Sequence, residues 1–441
     1  MNERPTLGLQ SPATPIYILR GHTAPIHALH IFNHNLRLIS GDADGWIVVW
    51  DLVTKRAVTV WKAHSGAVLE VKGFTLGGNV SEIYTHGRDH KLCVWKIRAE
   101  DESFLDKTLP VDRADSSESG ETQRQPWLLH SLPVNALNFC AFDMTFLHTD
   151  CSPEEKSGSD NRCATLFAVP NALDSGGVDI FHLPSERRLS TIRSDPSTKT
   201  GMVMAVHLFV SPSGDLYLAS AYEDGHVMSF LHRGPLKSTI NLEGNASSDA
   251  WKWEKIYACR PHTQPVLSID GSPSQDYFLS SSADALIVKH PVLRSESGGY
   301  IPTPRYVEDS PLKIVNTKHS GQQGLRIRSD GMVFATAGWD SRVRVYSGKT
   351  IKELAVLKWH KDGCYAVAFG KTDNITESST HGAPGKDAED TGTGSEYAEM
   401  AGEKPERSLA TVQNQRNMKV QQTHWLAAGS KDGKISLWDI Y

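Results

Sequence analysis

Two aspartates in the stretch GDADGWIVVWDL, Asp42 and Asp44, stand two residues apart before a glycine, as oxygen ligands do in a calcium-binding loop. Such a loop also needs an oxygen ligand at its fifth position, glycine at its sixth and glutamate at its twelfth. Counted from Asp42, those positions hold Trp46, Ile47 and Val53. The stretch therefore predicts no metal site, and an acidic turn that leads into a strand is the better interpretation.

The same pattern recurs along the chain, which makes it a repeat rather than an isolated site. An aspartate stands six residues before the closing position of six stretches: Asp44, Asp89, Asp224, Asp284, Asp340 and Asp432. Four residues earlier lies a hydroxyl residue or, in the last copy, an alanine: Ser40, Thr85, Ser220, Ser280, Thr336 and Ala428. Most copies follow a histidine: His22, His64, His262, His319 and His360. A hydrolase needs one His, Ser and Asp set, so several sets indicate structure rather than catalysis.

Each copy contains short alternating apolar runs bounded by Gly, Asp and Ser, which is typical of strands joined by tight turns. Three copies close on tryptophan, at Trp50, Trp95 and Trp438, and the others close on Phe230, His290 and Tyr346. The 45 residues from Trp50 to Trp95 match the period of about 40–45 residues of the WD40 repeat. With its opening Gly21-His22 and its closings Trp50-Asp51 and Trp438-Asp439, the chain resembles a WD-repeat β-propeller.

A degenerate unit fills the long interval after Trp95 and brings the predicted number of blades to seven. It is opened by His130 and would use strands at 133–142, 164–171 and 176–183. Seven blades lie within the usual range of about 4–8. The last unit is one strand short, and an orphan apolar strand, PIYILR, precedes the first. The fold class is therefore predicted to be all-β, a seven-bladed WD40 propeller closed by an N-terminal strand that pairs into the last blade.

The resemblance to WD repeats implies buried hydrogen-bonded tetrads of His, Ser or Thr, Asp and Trp. The two best sets are His22, Ser40, Asp44 and Trp50, and His64, Thr85, Asp89 and Trp95. The other expected tetrad residues are Ser220, Asp224, His262, Ser280, Asp284, His319, Thr336, Asp340, His360, Asp432 and Trp438. Asp42 lies outside this pattern and is expected to be dispensable. Blades that close without tryptophan are expected to depend more on packing than on this network.

The expected organisation is a flexible N-terminus (1–14) and one propeller domain (15–441). Three polar insertions are predicted to be disordered: 99–125, 143–162 and 371–421. The first and third carry charges of −5 and −3, so the net charge of −5 leaves about +3 for the rest of the chain. This is too little to predict direct nucleic-acid binding, which usually shows as a concentrated basic face. No apolar run approaches the roughly 18 residues of a membrane span. The six cysteines contain no C-x-x-C pair and are interpreted as buried thiols of an intracellular protein.

A closer resemblance comes from the two ends of the chain. The opening PIYILRGHTAPIHALHIF, the unit LISGDADGWIVVWDL, the large insertion in the last blade and the ending AAGSKDGKISLWDIY look like the ASTRA-associated WD-repeat family of fungi, which is similar to a G-protein-β-like family in animals. The resemblance implies a non-catalytic nuclear scaffold subunit, also found in the cytoplasm. Its partners would be Tel2-Tti type proteins of the ASTRA complex, with roles in chromatin remodelling and in assembly of phosphatidylinositol-3-kinase-related kinases. It implies no cofactor, no metal, no small-molecule substrate and no membrane.

Two other function classes remain open at this stage. A substrate receptor of a cullin-type ubiquitin ligase would carry Trp-Asp-x-Arg after a blade, but the nearest match here is Trp95-Lys96-Ile97-Arg98. A propeller enzyme would need a single unrepeated polar cluster in its central channel. For a scaffold, the rigid ring is favoured over the 371–421 insertion as the binding surface, with Arg342 and Arg344 as first candidates for partner contacts.

Overall fold

The structure is a computed structural model that describes residues 13–77, 79–113, 124–135, 139–147, 164–233, 236, 251–293, 307–372 and 409–440. Within these ranges the chain forms seven four-stranded antiparallel sheets, arranged as the blades of a β-propeller. The prediction of an all-β seven-bladed propeller is confirmed.

The first four blades follow the chain in order, each from an inner strand to an outer strand. Blade 1 contains β2 (Ile26–Phe32), β3 (Arg37–Asp42), β4 (Trp46–Asp51) and β5 (Arg56–Lys62). Blade 2 contains β6 (Val68–Leu76), β7 (Val80–Gly87), β8 (Lys91–Arg98) and β9 (Trp127–Pro133). Blade 3 contains β10 (Asp143–Phe146), β11 (Thr165–Pro170), β12 (Val178–Leu183) and β13 (Arg187–Ile192). Blade 4 contains β14 (Val203–Val210), β15 (Leu216–Tyr222), β16 (Val227–Arg233) and β17 (Lys252–Cys259).

The remaining three blades complete the ring. Blade 5 contains β18 (Val266–Gly271), β19 (Tyr277–Ser282), β20 (Leu286–Pro291) and β21 (Lys313–Asn316). Blade 6 contains β22 (Gln322–Ile327), β23 (Val333–Gly338), β24 (Val343–Ser347) and β25 (Glu353–Leu357). Blade 7 contains β26 (Cys364–Phe369), β27 (Trp425–Ser430), β28 (Lys434–Asp439) and, at its outer edge, β1 (Tyr17–Arg20).

The two ends of the chain meet in blade 7, as the sequence predicts. Strand β1 pairs with β28 in antiparallel register, with Tyr17 opposite Leu437 and Leu19 opposite Ile435. Leu19 is buried in an apolar cluster shared by blades 7 and 1, whereas Tyr17 remains 45% exposed. Closure by a shared blade ties the ring together and leaves no free edge between its ends.

Part of the predicted first insertion is ordered against the outer edge of blade 1. Residues Asp101–Ser103 form a 3-10 turn and Pro110–Arg113 form a short helix, α1. The backbone N–H of Val60 on β5 donates to the carbonyl of Asp106 (2.7 Å), and Leu109 packs against the apolar cluster. The expectation of disorder across 99–125 is therefore wrong for 99–113, because this segment finds backbone partners on an open strand edge. Residues 114–123 lie outside the described residues.

Blade 3 differs from the sequence prediction in its first strand. The inner strand is β10, which lies within the insertion predicted at 143–162, and the described residues of 133–142 beyond β9 form no strand. His130 belongs to the outer strand of blade 2, where its Nδ1 lies 2.6 Å from Glu186 Oε1. The apolar run FCAFDMTF spans both alternatives, and periodicity alone does not choose between its halves.

The insertion in blade 7 contains a second helix, α2 (Leu409–Gln422), so its predicted disorder is wrong for this part. Val420, in its last turn, is buried in the blade 1 and blade 7 cluster, whereas Met418 is half exposed. Residues 373–408 of the insertion lie outside the described residues.

Candidate binding site at the mouth of the channel

The inner strand of six blades carries one extra residue near its beginning, relative to the strand beside it. Such a β-bulge leaves the extra residue unpaired and re-aims its side chain. Here the bulged residues all line one depression at the mouth of the central channel: His27, Leu69, Met204, Leu267, Gln323 and Tyr365. One backbone irregularity, repeated around the ring, therefore builds a common site from six different side chains.

The depression lies on the face of the ring that carries the turns between second and third strands, here called the turn face. Its volume is about 580 Å³, and its remaining lining residues are Ala43, Ala67, Arg88, Phe139 and Trp339. Ligand pockets commonly have volumes of about 300–1,000 Å³ with mostly apolar walls and a few polar groups. The channel mouth has this size and this composition.

Contacts of aromatic rings fix the orientation of the side chains around the channel mouth. The rings of His27 and Tyr365 stack with centroids 5.4 Å apart, and burial lowers the pKa of His27, so this imidazole is neutral at pH 7. The Arg88 guanidinium lies 4.5 Å from the centroid of Phe139, which is 65% exposed. Trp339 is 49% exposed and donates its indole N–H to Gln323 Oε1 (2.8 Å). The mouth thus presents large apolar surfaces in fixed orientations.

Below the mouth, charged residues of five blades meet in the channel. This channel cluster consists of Glu70, Lys72, Asp143, His207, Asp270 and Arg326. Glu70 pairs with Arg326 on the far side of the ring, and Asp143 pairs with Lys72. His207 Nδ1 and the backbone N–H of Leu208 lie 2.9 and 2.8 Å from the same Asp143 oxygen. These side chains line the space of about 150 Å³ beneath the depression.

The channel cluster is the kind of unrepeated polar group that a propeller enzyme would require. Burial raises the pKa of the Asp143 carboxyl, but Lys72 and His207 outweigh it and hold that pKa well below its usual range. Burial raises the pKa of Asp270, whose Oδ2 accepts a hydrogen bond from Ile327 N (2.6 Å). Because Asp143 and Glu70 both hold cationic partners, these two carboxylates are engaged in joining blades.

The structure places the blade 1 tetrad on a different aspartate from the predicted one. His22 Nε2 lies 2.7 Å from Ser40 Oγ, which also accepts the Trp50 indole N–H (2.8 Å). The carboxylate at His22 Nδ1 belongs to Asp42, at 2.6 Å, and not to Asp44. Asp42 ends β3 in a buried position, whereas Asp44 lies exposed in the following turn, so the prediction of Asp44 is wrong.

The acidic stretch is thus a turn built on Asp42. Its second oxygen accepts the backbone N–H groups of Asp44 (3.0 Å) and Trp46 (2.9 Å). Gly45 follows with φ +87°, and a Cβ there would lie 2.0 Å from the carbonyl oxygen of His64, so only glycine fits. Among the described residues no group of three or more acidic, His or Cys side chains is arranged to hold a metal ion.

Blades 2 and 5 bring their predicted residues together. In blade 2, His64 lies 2.9 Å from Asp89 and 2.8 Å from Thr85, which accepts the Trp95 indole N–H (3.0 Å). Burial raises the pKa of Asp89, but its hydrogen bonds, led by that from His64, bring it below its ordinary value.

Blade 5 keeps the network without tryptophan, which sequence reasoning missed. His262 joins Asp284 (3.1 Å) and Ser280 (2.8 Å), and Ser280 Oγ lies 2.8 Å from His290 Nε2. The other ring nitrogen of His290 lies 2.9 Å from the Tyr257 hydroxyl. Burial lowers the pKa of His290 well below its usual value, so the neutral ring has one N–H and one acceptor for its two partners.

Blades 4 and 6 do not form the predicted tetrads. In blade 4, Ser220 donates to the Tyr222 hydroxyl (3.0 Å), and Asp224 pairs with His226 (2.7 Å). In blade 6, Arg344 forms a two-pronged pair with Asp340, at 3.1 and 2.5 Å. Arg344 lies opposite Thr336 in the sheet register. Its guanidinium binds the Asp340 carboxylate that the tetrad would have offered to His319, and His319 is half-buried.

The burial of Arg344 in this ion pair bears on its predicted role as a contact for a partner protein. The side chain of Arg344 is 4% exposed, so a role in binding a partner at the surface is wrong for this residue. A charged residue in a buried strand position is held there by its carboxylate partner. Arg342 is half-buried in the turn before β24 and stays a candidate.

In blade 7 the hydroxyl comes from a different strand. Ser436 on β28 lies 2.8 Å from His360 Nε2 and accepts the Trp438 indole N–H at 2.8 Å. Ser436 is directly opposite Ala428, the position where the repeat lacks its hydroxyl. Asp432 is 3.9 Å from His360 and hydrogen-bonds with Lys434 instead (2.7 Å).

The mouth residues were not among the sequence predictions, although their positions carry a signal. His27, Leu69, Leu267 and Tyr365 each lie five residues after the histidine that opens their blade. Their side-chain types share nothing, so no residue motif marks them. Only the repeated bulge shows that they face one another.

Comparison with known proteins identifies the family. The family model described as ASTRA-associated protein 1 matches residues 15–438. The chain belongs to the ASTRA-associated protein 1 family. It is 68% identical to ASTRA-associated protein 1 of Penicillium rubens, over 98% of each chain. It is 62% identical to ASTRA-associated protein 1 of Aspergillus flavus, over 98% of this chain and 99% of that one.

More distant members of the family align over most of the chain as well. ASTRA-associated protein 1 of Schizosaccharomyces pombe is 33% identical, and the match covers 82% of this chain and 95% of the relative. No helix among the described residues combines the length and apolar character needed to cross a membrane.

Proposed function

We propose that the chain is a non-catalytic subunit of the ASTRA complex that binds partner proteins through its ring. The observation that carries the proposal is the match, along nearly the whole chain, to relatives named ASTRA-associated protein 1. The channel mouth supports it physically, because exposed aromatic side chains in a concave, pre-ordered surface are the usual anchors of protein interfaces. The seven-bladed ring and the family match support a scaffold rather than an enzyme.

The proposed partners are Tel2-Tti type subunits, and the proposed setting is the nucleus, with the cytoplasm as a second location. There the protein would serve in chromatin regulation and in assembly of phosphatidylinositol-3-kinase-related kinases. A rigid ring suits this role, because its surface does not lose conformational entropy on binding as a folding loop would.

The experiment is affinity purification of the full chain, tagged at its native locus, followed by quantitative mass spectrometry. We expect Tel2 and Tti proteins at amounts comparable to the tagged chain, and imaging of the same strain should show nuclear signal. Recovery of a cullin and its adaptor in place of Tel2-Tti proteins would instead support the ubiquitin-ligase alternative. Absence of both sets would overturn the proposal.

A matched pair of variants separates the ring from the insertion. The first replaces residues 375–408 with a short Gly/Ser linker and leaves Lys371 and α2 in place. The second is Leu267→Asp, which puts a charge into the channel mouth. We expect the linker variant to retain the partners and Leu267→Asp to lose most of them, with both variants melting near the parent temperature. The opposite result would assign binding to the insertion.

A further inference from the structure

The lining of the channel mouth has an uneven charge that indicates what it binds. Of its eleven residues only Arg88 carries a permanent charge, and no carboxylate is among them. Arg88 is exposed and lies over the Phe139 ring, and it forms no ion pair among the described residues. A guanidinium held on an aromatic face keeps its N–H donors free for a carboxylate, which it binds in two-pronged geometry.

The walls provide the apolar part of the site. Leu69, Met204 and Leu267 are partly exposed bulge residues, and Phe139 and Trp339 expose about half or more of their surface. Apolar side chains that face one another across a concave mouth gain free energy when a ligand removes them from water, at roughly 25 cal/mol per Å². The site is therefore suited to an aliphatic or aromatic side chain.

The charged residues below the channel mouth limit how far an apolar ligand can enter. Glu70 of blade 2 and Arg326 of blade 6 pair across the channel, and Lys72 and Asp143 pair beside them. These charged pairs line a narrower space of about 150 Å³ below the mouth, so an apolar group that enters from the turn face stays among the apolar walls of the upper part. A chain end or a bend of a peptide meets this condition.

We propose that the channel mouth binds a peptide segment of a partner protein that inserts an aliphatic or aromatic side chain and places a carboxylate on Arg88. The inference rests on the proposed function, since it names the partner chemistry for the same surface. It commits to an acidic peptide because, among the described lining residues, the one permanent charge is positive and the walls are apolar.

The test uses phage-displayed random dodecapeptides selected on the purified full chain. We expect enriched sequences with Asp or Glu within three residues of Leu, Ile, Phe, Tyr or Trp. The most enriched peptide is then labelled, and its affinity is measured by fluorescence anisotropy. Arg88→Glu should weaken binding at least tenfold, whereas Lys349→Glu, the same charge change at an exposed residue outside the mouth, should leave it unchanged.

A second peptide, with its acidic residues replaced by Asn or Gln, completes the cycle. It should bind the parent chain weakly and should be insensitive to Arg88→Glu. Enrichment of basic peptides, lack of any enrichment, or equal binding by the Arg88→Glu chain with an unchanged melting temperature would overturn the inference. Any of these results, with Tel2-Tti proteins still recovered from cells, leaves the proposed function standing.

Discussion

Asn35 of blade 1 forms a reciprocal hydrogen-bonded pair with the backbone of Lys371 in blade 7. Asn35 Nδ2 donates to the Lys371 carbonyl (2.8 Å), and Asn35 Oδ1 accepts the Lys371 N–H (2.8 Å). The same Nδ2 also donates to the carbonyl of Gln421 (2.9 Å). One buried side chain therefore holds both stems of the blade 7 insertion, from a turn that is far away in sequence.

The first prediction concerns the hydrogen bonds that Asn35 forms with Lys371 and Gln421. Asn35 has φ +65°, so Asn35→Gly keeps the backbone conformation and removes only the side-chain bonds. We expect a loss of about 1–3 kcal/mol in unfolding free energy, because three hydrogen bonds are lost while the backbone groups of the exposed Lys371 and the half-buried Gln421 can bind water instead. Asn33→Gly, at φ +52° in the same turn, is the matched control and should cost much less. Urea denaturation measures the unfolding free energy of both variants, and equal losses would show that the Asn35 hydrogen bonds do not stabilise the fold.

The second prediction separates the two aspartates of the first turn. Asp42→Ala removes the acceptor for His22 and for two backbone N–H groups, so we expect a cost of about 1–3 kcal/mol or more. Asp44→Ala changes an exposed residue and should stay within about 0.5 kcal/mol of the parent. The same order should hold in thermal melts. A larger loss for Asp44→Ala would restore the aspartate that the repeat pattern predicted.

These two residues show what sequence can decide. The repeat of His, Ser or Thr, Asp and Trp predicted the propeller, its blade number and the closure by β1, because each depends on spacing that recurs. Asp42 and Asp44 both fit an acidic turn before a strand, and only burial and the direction of the side chain separate them. The role of Ser436 was likewise not predictable from the repeat, because its position opposite Ala428 follows from the pairing of β27 with β28.

The binding site was harder to predict for a similar reason. A β-bulge is a property of two paired strands, and the bulged side chains share position rather than type. Blade 3 shows the other limit, because its apolar run is longer than the strand it forms. Arg342 and Arg344 stand two residues apart, as residues on the exposed face of a strand do. Arg344 nevertheless lies in the interior, where its guanidinium pairs with the Asp340 carboxylate.

A third prediction concerns pH. His232 is buried between Trp251 and Trp253, its ring nitrogens have no hydrogen-bond partner among the described residues, and burial lowers its pKa from 6.5 to about 4. Between pH 6.5 and 4 the unfolded chain binds a proton here that the folded chain does not, so stability falls as pH is lowered through this window. His232→Phe should therefore gain stability relative to the parent at pH 5 compared with pH 7, as measured by urea unfolding. A constant difference between the two proteins would show that His232 does not titrate on unfolding.

The fourth prediction tests ring closure. Leu19→Ala should cost about 2–5 kcal/mol, as for other fully buried leucines. Tyr17→Ala changes a side chain that is 45% exposed on the same strand and should cost less. Removing residues 1–14 should leave the melting temperature unchanged, whereas removing 1–20 should lower it clearly. If the chain that starts at Gly21 melts with the full-length protein, β1 does not contribute to closure.

The last prediction exchanges the hydroxyl between two strands of blade 7. Ser436→Val alone should cost about 1–3 kcal/mol, because the Trp438 indole N–H and His360 Nε2 lose their shared partner in the interior. In blade 1 the equivalent pair is Ser40 opposite Val48, so Ala428→Ser combined with Ser436→Val copies that arrangement onto blade 7. The double variant should recover a large part of the loss, since the hydroxyl introduced on β27 would stand where that of Ser40 stands relative to its own His and Trp. Denaturant unfolding of the parent, both single variants and the double variant gives the coupling energy directly. Additive effects would show that the hydroxyl serves the network only from β28, and that the blades are not interchangeable at this position.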